Sequence, residues 1–284
     1  MSSEARFGTW EAAVRWLKHE PAQQELVLAA YYDDPLIDAA TRYWNSEEWQ
    51  AVRTLLFAAG GRALDVGAGR GIASFALAKE GFAVTALEPD GSALVGAQAI
   101  RDLAECSGLP IEVTQEFSER LPFADGTFDV VFARAVLHHT RDLEAACREF
   151  FRVLKPGGLF IAIREHVISR EEDLPRFLDM HPLHKLYGGE HAYLLEQYVA
   201  AIGQSGFANL KVVSPWQSPL NYAPYSLATL KAEVARRVGR GVPGVGRMVN
   251  SLLELPGVWP LAKRMLDRFD RRPGRLYSFV ATRP

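Results

Sequence analysis

The residues with the clearest chemical use lie in one run, Ala63-Leu64-Asp65-Val66-Gly67-Ala68-Gly69-Arg70-Gly71, and in Glu88, 23 residues after Asp65. Glycine at every second position lets the backbone turn sharply and come close to a ligand that side chains would hold off. Glu88 closes a second apolar run, Ala83-Val84-Thr85-Ala86-Leu87. A carboxylate so placed accepts hydrogen bonds from ribose hydroxyls, so the chemistry is nucleoside binding at the ends of strands. A dinucleotide fold needs a third glycine where this chain has Ile72, so the G-x-G-x-G pattern points to a different nucleoside.

Proton transfer has its own candidates. His138 and His139 follow the apolar run 128–134. A neutral imidazole, with an ordinary pKa of ~6.5, accepts a proton as a hydroxyl attacks. Neighbouring residues point apart, so one of the pair is expected to face a pocket; the alternative is that they cap the next helix or line the cleft. Glu165-His166 ends a further apolar run, with Glu165 open to use as base, acceptor-binding group or metal ligand. His181, His184 and His191 give an H-x-x-H-x6-H spacing. They lack partner cysteines and sit beside Gly188-Gly189, so substrate contact by one of them is the reading preferred, and no residue is assigned to a metal.

Four motifs in order extend this picture: the glycine run with Asp65 two residues before its first glycine, Leu121-Pro122-Phe123-Ala124-Asp125-Gly126-Thr127-Phe128-Asp129-Val130-Val131, Val136-Leu137-His138-His139, and Leu154-Lys155-Pro156-Gly157-Gly158-Leu159-Phe160. Together they resemble the class I S-adenosylmethionine (SAM)-dependent methyltransferases, in the small-molecule branch related to the ubiquinone-biosynthesis enzymes. The resemblance covers residues 60 to 165, with weaker support to 213. It implies SAM as cofactor, S-adenosylhomocysteine as product, and methyl transfer to a small molecule or glycan; the histidine pair points to a hydroxyl as the acceptor group. With the residue readings above, cofactor contacts are expected at Asp65, Gly67, Ala68, Gly69, Gly71, Glu88, Pro89, Glu116, Phe117, Ser118 and Arg134, and catalysis at His139, His138 and Glu165. Relatives commonly have Gly-Asp where this chain has Glu116 and Phe117. Either Glu116 supplies the acid that reads adenine, or Phe117 packs on the ring and amides near Ser118 do the reading. Arg134 either meets the SAM carboxylate or pairs with an acid.

The elements that position these residues follow from alternation of strand and helix signals. Strands are expected at 62–66, 83–88, 111–115, 128–134, 159–164 and 210–213, with the last at 276–282. Helices are expected at 47–57, 71–80, 91–107, 142–154 and 190–205. The fold class is α/β: a Rossmann-like, mostly parallel sheet, which by the resemblance has seven strands and an antiparallel last strand. N-terminal helices (1–58) cap the core (59–213 and 276–284), and a basic insertion (214–275), helical at 226–239 and 258–270, decorates the acceptor side together with residues 166–189.

Composition bounds the rest. A chain of 284 residues that is 48% hydrophobic and 23% charged fits one decorated α/β domain. No run approaches the ~18 apolar residues of a membrane span, and Met1–Arg6 lacks a signal-peptide core. Cys106 and Cys147 are read as buried thiols in a reducing compartment, so a soluble cytoplasmic protein is expected. The net charge of −2 hides an asymmetry: residues 215–284 hold 12 Lys/Arg against 4 Asp/Glu, leaving 20 against 30 upstream. Residues 252–275 are apolar with basic punctuation, which suits an anionic membrane surface or, preferred here, a cap helix with solvated arginines. No nucleic-acid module is present. A protein that binds the nucleoside without catalysis is the competing class, supported only by Phe117. Oligomeric state is left open.

Overall fold

The computed structural model describes residues 6–56 and 60–284. Met1–Ala5, read above for a leader, and the cap boundary at 58 and 59 lie outside the described residues, as does Phe57 at the end of the expected 47–57 helix. Four N-terminal helices, α1 (Trp10–His19), α2 (Gln24–Ala29), α3 (Leu36–Trp44) and α4 (Glu47–Arg53), precede an alternating core. The core runs β1 (Arg62–Val66), α5 (Ile72–Lys79), β2 (Ala83–Leu87), α6 (Ala97–Ser107), β3 (Ile111–Thr114), β4 (Phe128–Arg134), α7 (Leu143–Val153) and β5 (Leu154–Ile168). After it come α8 (Leu174–Met180), α9 (Pro182–Tyr187), β6 (Tyr193–Leu194), α10 (Leu195–Gln204) and β7 (Ala208–Val213). The accessory helices α11 (Leu227–Val238), α12 (Val245–Leu253) and α13 (Val258–Phe269) lead into β8 (Arg275–Thr282).

The sheet order is β3-β2-β1-β4-β5-β8-β7, with β6 beside the far end of β5. Strands β1 to β5 are parallel and β8 runs antiparallel between β5 and β7. The order reverses between β1 and β4, which opens a crevice at their C-terminal ends. Strand alternation builds both cores. Val130 and Phe132 face the layer holding Tyr43, Trp49 and Phe75, while Val131 and Ala133 face Leu143, Phe150 and Tyr198. Trp49 is fully buried, with its ring 5.6 Å from Tyr43 and 5.9 Å from Phe132. Such aromatic pairs add about 0.5–1.5 kcal/mol each beyond their area burial and fix α4 against the strand ends.

Several features differ from the sequence reading. β5 does not stop at 164: it continues to Ile168 because β8 pairs with it through His166↔Leu276 and Val167↔Arg275. A bulge between Ala162 and Glu165, with Arg164 at φ 63, re-aims this stretch. β6 adds a short eighth strand, pairing Val167 with Tyr193. Helix α12 was not expected, since Gly241, Gly244 and Gly246 argue against a helix. It forms because α11 and α12 pack backbone to backbone: a Cβ on Gly239 would sit 2.3 Å from the Gly246 nitrogen. Cys147 is buried as expected, but Cys106 is exposed, because the buried stripe of α6 runs through Ala99, Ile100 and Leu103. No helix among the described residues is long and apolar enough to cross a membrane.

Candidate functional site

The turn between β1 and α5 uses its glycines for conformation and for space. Gly67 has φ 59, and a Cβ there would stand 2.8 Å from Val136 Cγ2. Gly69 has φ 55, and a Cβ there would meet no atom within 4 Å, so its open side borders the crevice. Gly71, at φ 83, caps α5, and its N–H donates to the Ala68 carbonyl at 2.8 Å. The Ala68 N–H donates to Leu87 O at 3.0 Å, which holds the turn against the end of β2. Asp65, buried in β1, accepts from Ser74 Oγ at 2.6 Å, and burial followed by the nearby Glu88 charge raises its pKa to about 7.

Glu88 completes this half. Its Oε2 accepts from the Gly69 N–H at 2.7 Å and its Oε1 from the Asp90 N–H at 2.9 Å. Burial raises its pKa to about 7, against the pull of those two donors. Each oxygen keeps a lone pair for a hydroxyl. Thus Asp65, Gly67, Ala68, Gly69, Gly71 and Glu88 come together at one crevice end. Pro89 follows as an exposed residue. Glu116 and Phe117 are exposed after β3; Arg141 lies over the Phe117 ring at 4.8 Å, and Ser118 donates to Glu119 at 3.3 Å.

Arg134, at the end of β4, pairs with an acid that the sequence did not single out. Its Nε donates to Glu48 Oε1 at 2.6 Å, and Arg164 Nη1 donates to Glu48 Oε2 at 3.2 Å. Burial pushes the Glu48 carboxyl up, but the two guanidinium groups more than offset this and hold it below its ordinary value. One carboxylate between two arginines leaves the buried trio with a net positive charge. Arg70 ties the glycine turn to the N-terminal segment, donating to the carbonyls of Tyr31 and Asp33 and to the Asp34 carboxylate.

The histidines gather beside this half. Glu165 is fully buried and accepts from the N–H groups of Val136 (3.0 Å) and His138 (3.1 Å) and from His138 Nδ1 at 2.7 Å. Val136 is therefore the link: it packs on Gly67 and hydrogen-bonds Glu165. Burial opposes charge on His138, yet Glu165 and Glu190 overcome it and raise its pKa to about 9. His139 is exposed, with Nδ1 3.0 Å from the Gly189 carbonyl; desolvation, then the neighbouring His138, lowers its pKa. Glu190 stands amid the rings, 3.6 Å from His138 Nε2, 3.7 Å from His139 Nε2 and 3.7 Å from His181 Nδ1. His166 stacks edge-on to His138 at 4.7 Å and to His181 at 5.1 Å. Of the H-x-x-H-x6-H set, only His181 joins this cluster; His191 instead packs on Tyr193 at 4.5 Å. Sequence reasoning missed Glu48 and Glu190, and the one available signal was an acid directly before His191.

Beside His166, a cavity of about 710 Å³ is lined by Trp216, Tyr222, Leu230, Met265, Phe269 and Leu276, among others. Two of its wall residues touch the site: Gly274 O lies 3.1 Å from His166 Nδ1, and Ala223 O accepts from Arg164 at 3.1 Å.

This turn, acid and strand order match a known domain: residues 64–162 fit the family model described as a methyltransferase domain. Residues 64–162 are therefore a methyltransferase domain. It is 39% identical over 99 residues to the ubiquinone biosynthesis O-methyltransferase of Methylobacterium nodulans, covering 35% of this chain and 39% of that one. It is 29% identical over 226 residues to cycloartenol-C-24-methyltransferase 1 of Oryza sativa, covering 74% and 62%. The solved structure of geranyl diphosphate C-methyltransferase from Streptomyces coelicolor shares the fold, with a TM-score of 0.58, 17% identity and coverage of 90% and 84%. The chain spans 26% to 62% of the length of these and the other first curated relatives it matches.

Proposed function

We propose that this methyltransferase uses SAM to methylate a small, partly apolar acceptor at a hydroxyl. The observation that carries the reading is Glu88: one oxygen accepts from the glycine turn at Gly69, the other from Asp90, and each keeps a lone pair for a ribose hydroxyl. The cradle fits the cofactor, since Gly69 presents backbone alone to the crevice and the Arg134–Glu48–Arg164 trio leaves a net positive charge for a carboxylate. Bound there, SAM supplies a methyl group already activated on a sulfonium. The protein then has to orient the acceptor, exclude water and take up a proton. His139 is the candidate acceptor of that proton: its ring is exposed, and Nδ1 donating to Gly189 O leaves Nε2 with a lone pair. His138, locked to Glu165, and Glu165 itself act as positioning groups. The apolar cavity beside His166 is where the body of the acceptor would lie.

Titration with S-adenosylhomocysteine and incubation of methyl-labelled SAM with water-soluble and lipid-soluble extracts test this. Saturable binding with label transferred into one extract supports it. Binding without transfer into either would favour a non-catalytic nucleoside-binding protein. A lipid-linked acceptor is the second reading, because Leu261, Met265 and Phe269 form an exposed apolar stripe on α13 beside Arg264 and Arg268. Failure to float with anionic vesicles at low salt would remove it.

A further inference from the structure

The histidine cluster contains more ligating atoms than a proton acceptor needs. We propose that His166, His181 and Glu190 bind a divalent first-row transition-metal ion. One ligand nitrogen from each histidine and a carboxylate oxygen of Glu190 lie within 4.8 Å of one another. The Glu190 side chain is 8% exposed, and the buried His181 Nδ1, turned toward its Oε1, has no hydrogen-bond partner. A polar atom buried in this state costs about 1–3 kcal/mol, so its position among the other donors calls for a ligand.

Distances separate this cluster from an ordinary ion pair. His138 closes on Glu165 to 2.7 Å, a hydrogen bond. His181 stays 3.7 Å from Glu190, too far for a hydrogen bond. Two ligands at about 2.0–2.1 Å from a tetrahedral ion stand roughly 3.3 Å apart, so a small closure would complete the shell. The surrounding contacts agree. His166 Nδ1 faces the Gly274 carbonyl at 3.1 Å, which fixes the tautomer that leaves Nε2 for a metal, the usual support for a ligating histidine. Two imidazoles and one carboxylate favour zinc, iron or nickel over magnesium or calcium, which take oxygen shells. The other Glu190 oxygen faces His138 and His139, so the ion would border the place where the acceptor is expected. Ion binding is measured without donor or acceptor, and so stands or falls apart from the proposed reaction.

The test uses tag-free full-length protein, stripped with a chelator and titrated with Zn²⁺ by calorimetry and with Co²⁺ by visible absorption. One ion per chain is expected, with a higher melting temperature and no competition from millimolar Mg²⁺. Glu190→Gln and His181→Asn should each weaken Zn²⁺ binding at least tenfold, while His184→Ala, outside the cluster, changes it less than twofold. Metal-free melting curves show whether each variant is folded, and two independent substitutions keep the test decisive if one is not. The proposal is overturned if wild type takes up no Zn²⁺, if both variants bind like wild type, or if His139→Ala abolishes binding that His181→Asn retains.

Discussion

Replacing Glu88 by glutamine keeps the shape of the side chain and changes one atom, so its cost can be worked from the contacts. The wild-type carboxylate accepts from Gly69 N–H on one oxygen and Asp90 N–H on the other. An amide nitrogen cannot accept, so one of those backbone donors loses its partner, and one ribose hydroxyl does too. Losing a hydrogen bond to a charged acceptor costs about 1.5–3 kcal/mol, and the remaining hydroxyl then meets a neutral oxygen worth about 1 kcal/mol less. A total of about 2.5–4 kcal/mol corresponds to a roughly 70- to 900-fold weaker S-adenosylhomocysteine affinity. The orphaned backbone donor adds a separate cost to folding of about 1–3 kcal/mol, which is seen in the melting curve without ligand. Calorimetric titration of both proteins at pH 8 reads the first effect. An affinity within threefold of wild type, in a folded variant, would refute the assignment of Glu88 to the ribose.

The same carboxyl makes binding pH-dependent. With its pKa raised to about 7, only the ionised form accepts both hydroxyls, so affinity should climb with pH and reach about tenfold more at pH 8 than at pH 6, a slope that Glu88→Gln abolishes. Stability takes the opposite sign: the folded state holds this proton longer than the unfolded chain does. The contribution of Glu88 is therefore full below its ordinary value of 4.5 and declines as pH rises to about 7, which melting temperatures across pH 4.5–8 would register. Glu48→Gln leaves Arg134 and Arg164 buried without a counter-charge; a loss of about 3–5 kcal/mol is expected, a fall in melting temperature on the order of 10 °C, and a fall under about 2 °C would contradict it. Gly67→Ala and Gly69→Ala should part company. The first meets Val136 and strains φ, so it lowers stability by at least about 2 kcal/mol; the second bears only the backbone strain but weakens S-adenosylhomocysteine binding more strongly.

The glycine turn and the strands around it were legible because their signals are local. Glycine spacing, the acid closing the next strand and strict strand alternation are short-range signals, and the expected strands at 62–66, 83–88, 111–115 and 128–134 lie within a residue of those observed. The remainder depends on partners far along the chain. Glu48 matters only because Arg134 and Arg164, 86 and 116 residues away, fold onto it. The length of β5 is set by its pairing with β8, so Glu165 and His166 looked like a strand terminus when they lie inside a two-stranded extension. His166 meets Gly274 across 108 residues, a contact no local pattern announces. Histidine spacing even misled, since it grouped His181 with His184 and His191 while the fold groups it with His166 and Glu190. Arg134 was left between two roles, and only the position of α4 could show which acid it pairs with.

Val213 at the end of β7 pairs with Ser278 of β8, so the chain leaves the sheet and re-enters it at adjoining positions. Beyond Leu220, which packs into the main core, and Ala223, whose carbonyl holds Arg164, the excursion has a small core of its own around Trp216, Leu230 and Trp259. Because both ends are already held together, lengthening, shortening or replacing this excursion changes the closure entropy only slightly. The region that walls the apolar cavity can therefore be exchanged like a cassette, leaving Glu88 and the glycine turn as they are. Grafting the corresponding stretch from a relative thus tests whether these walls select the acceptor while the glycine turn stays in place.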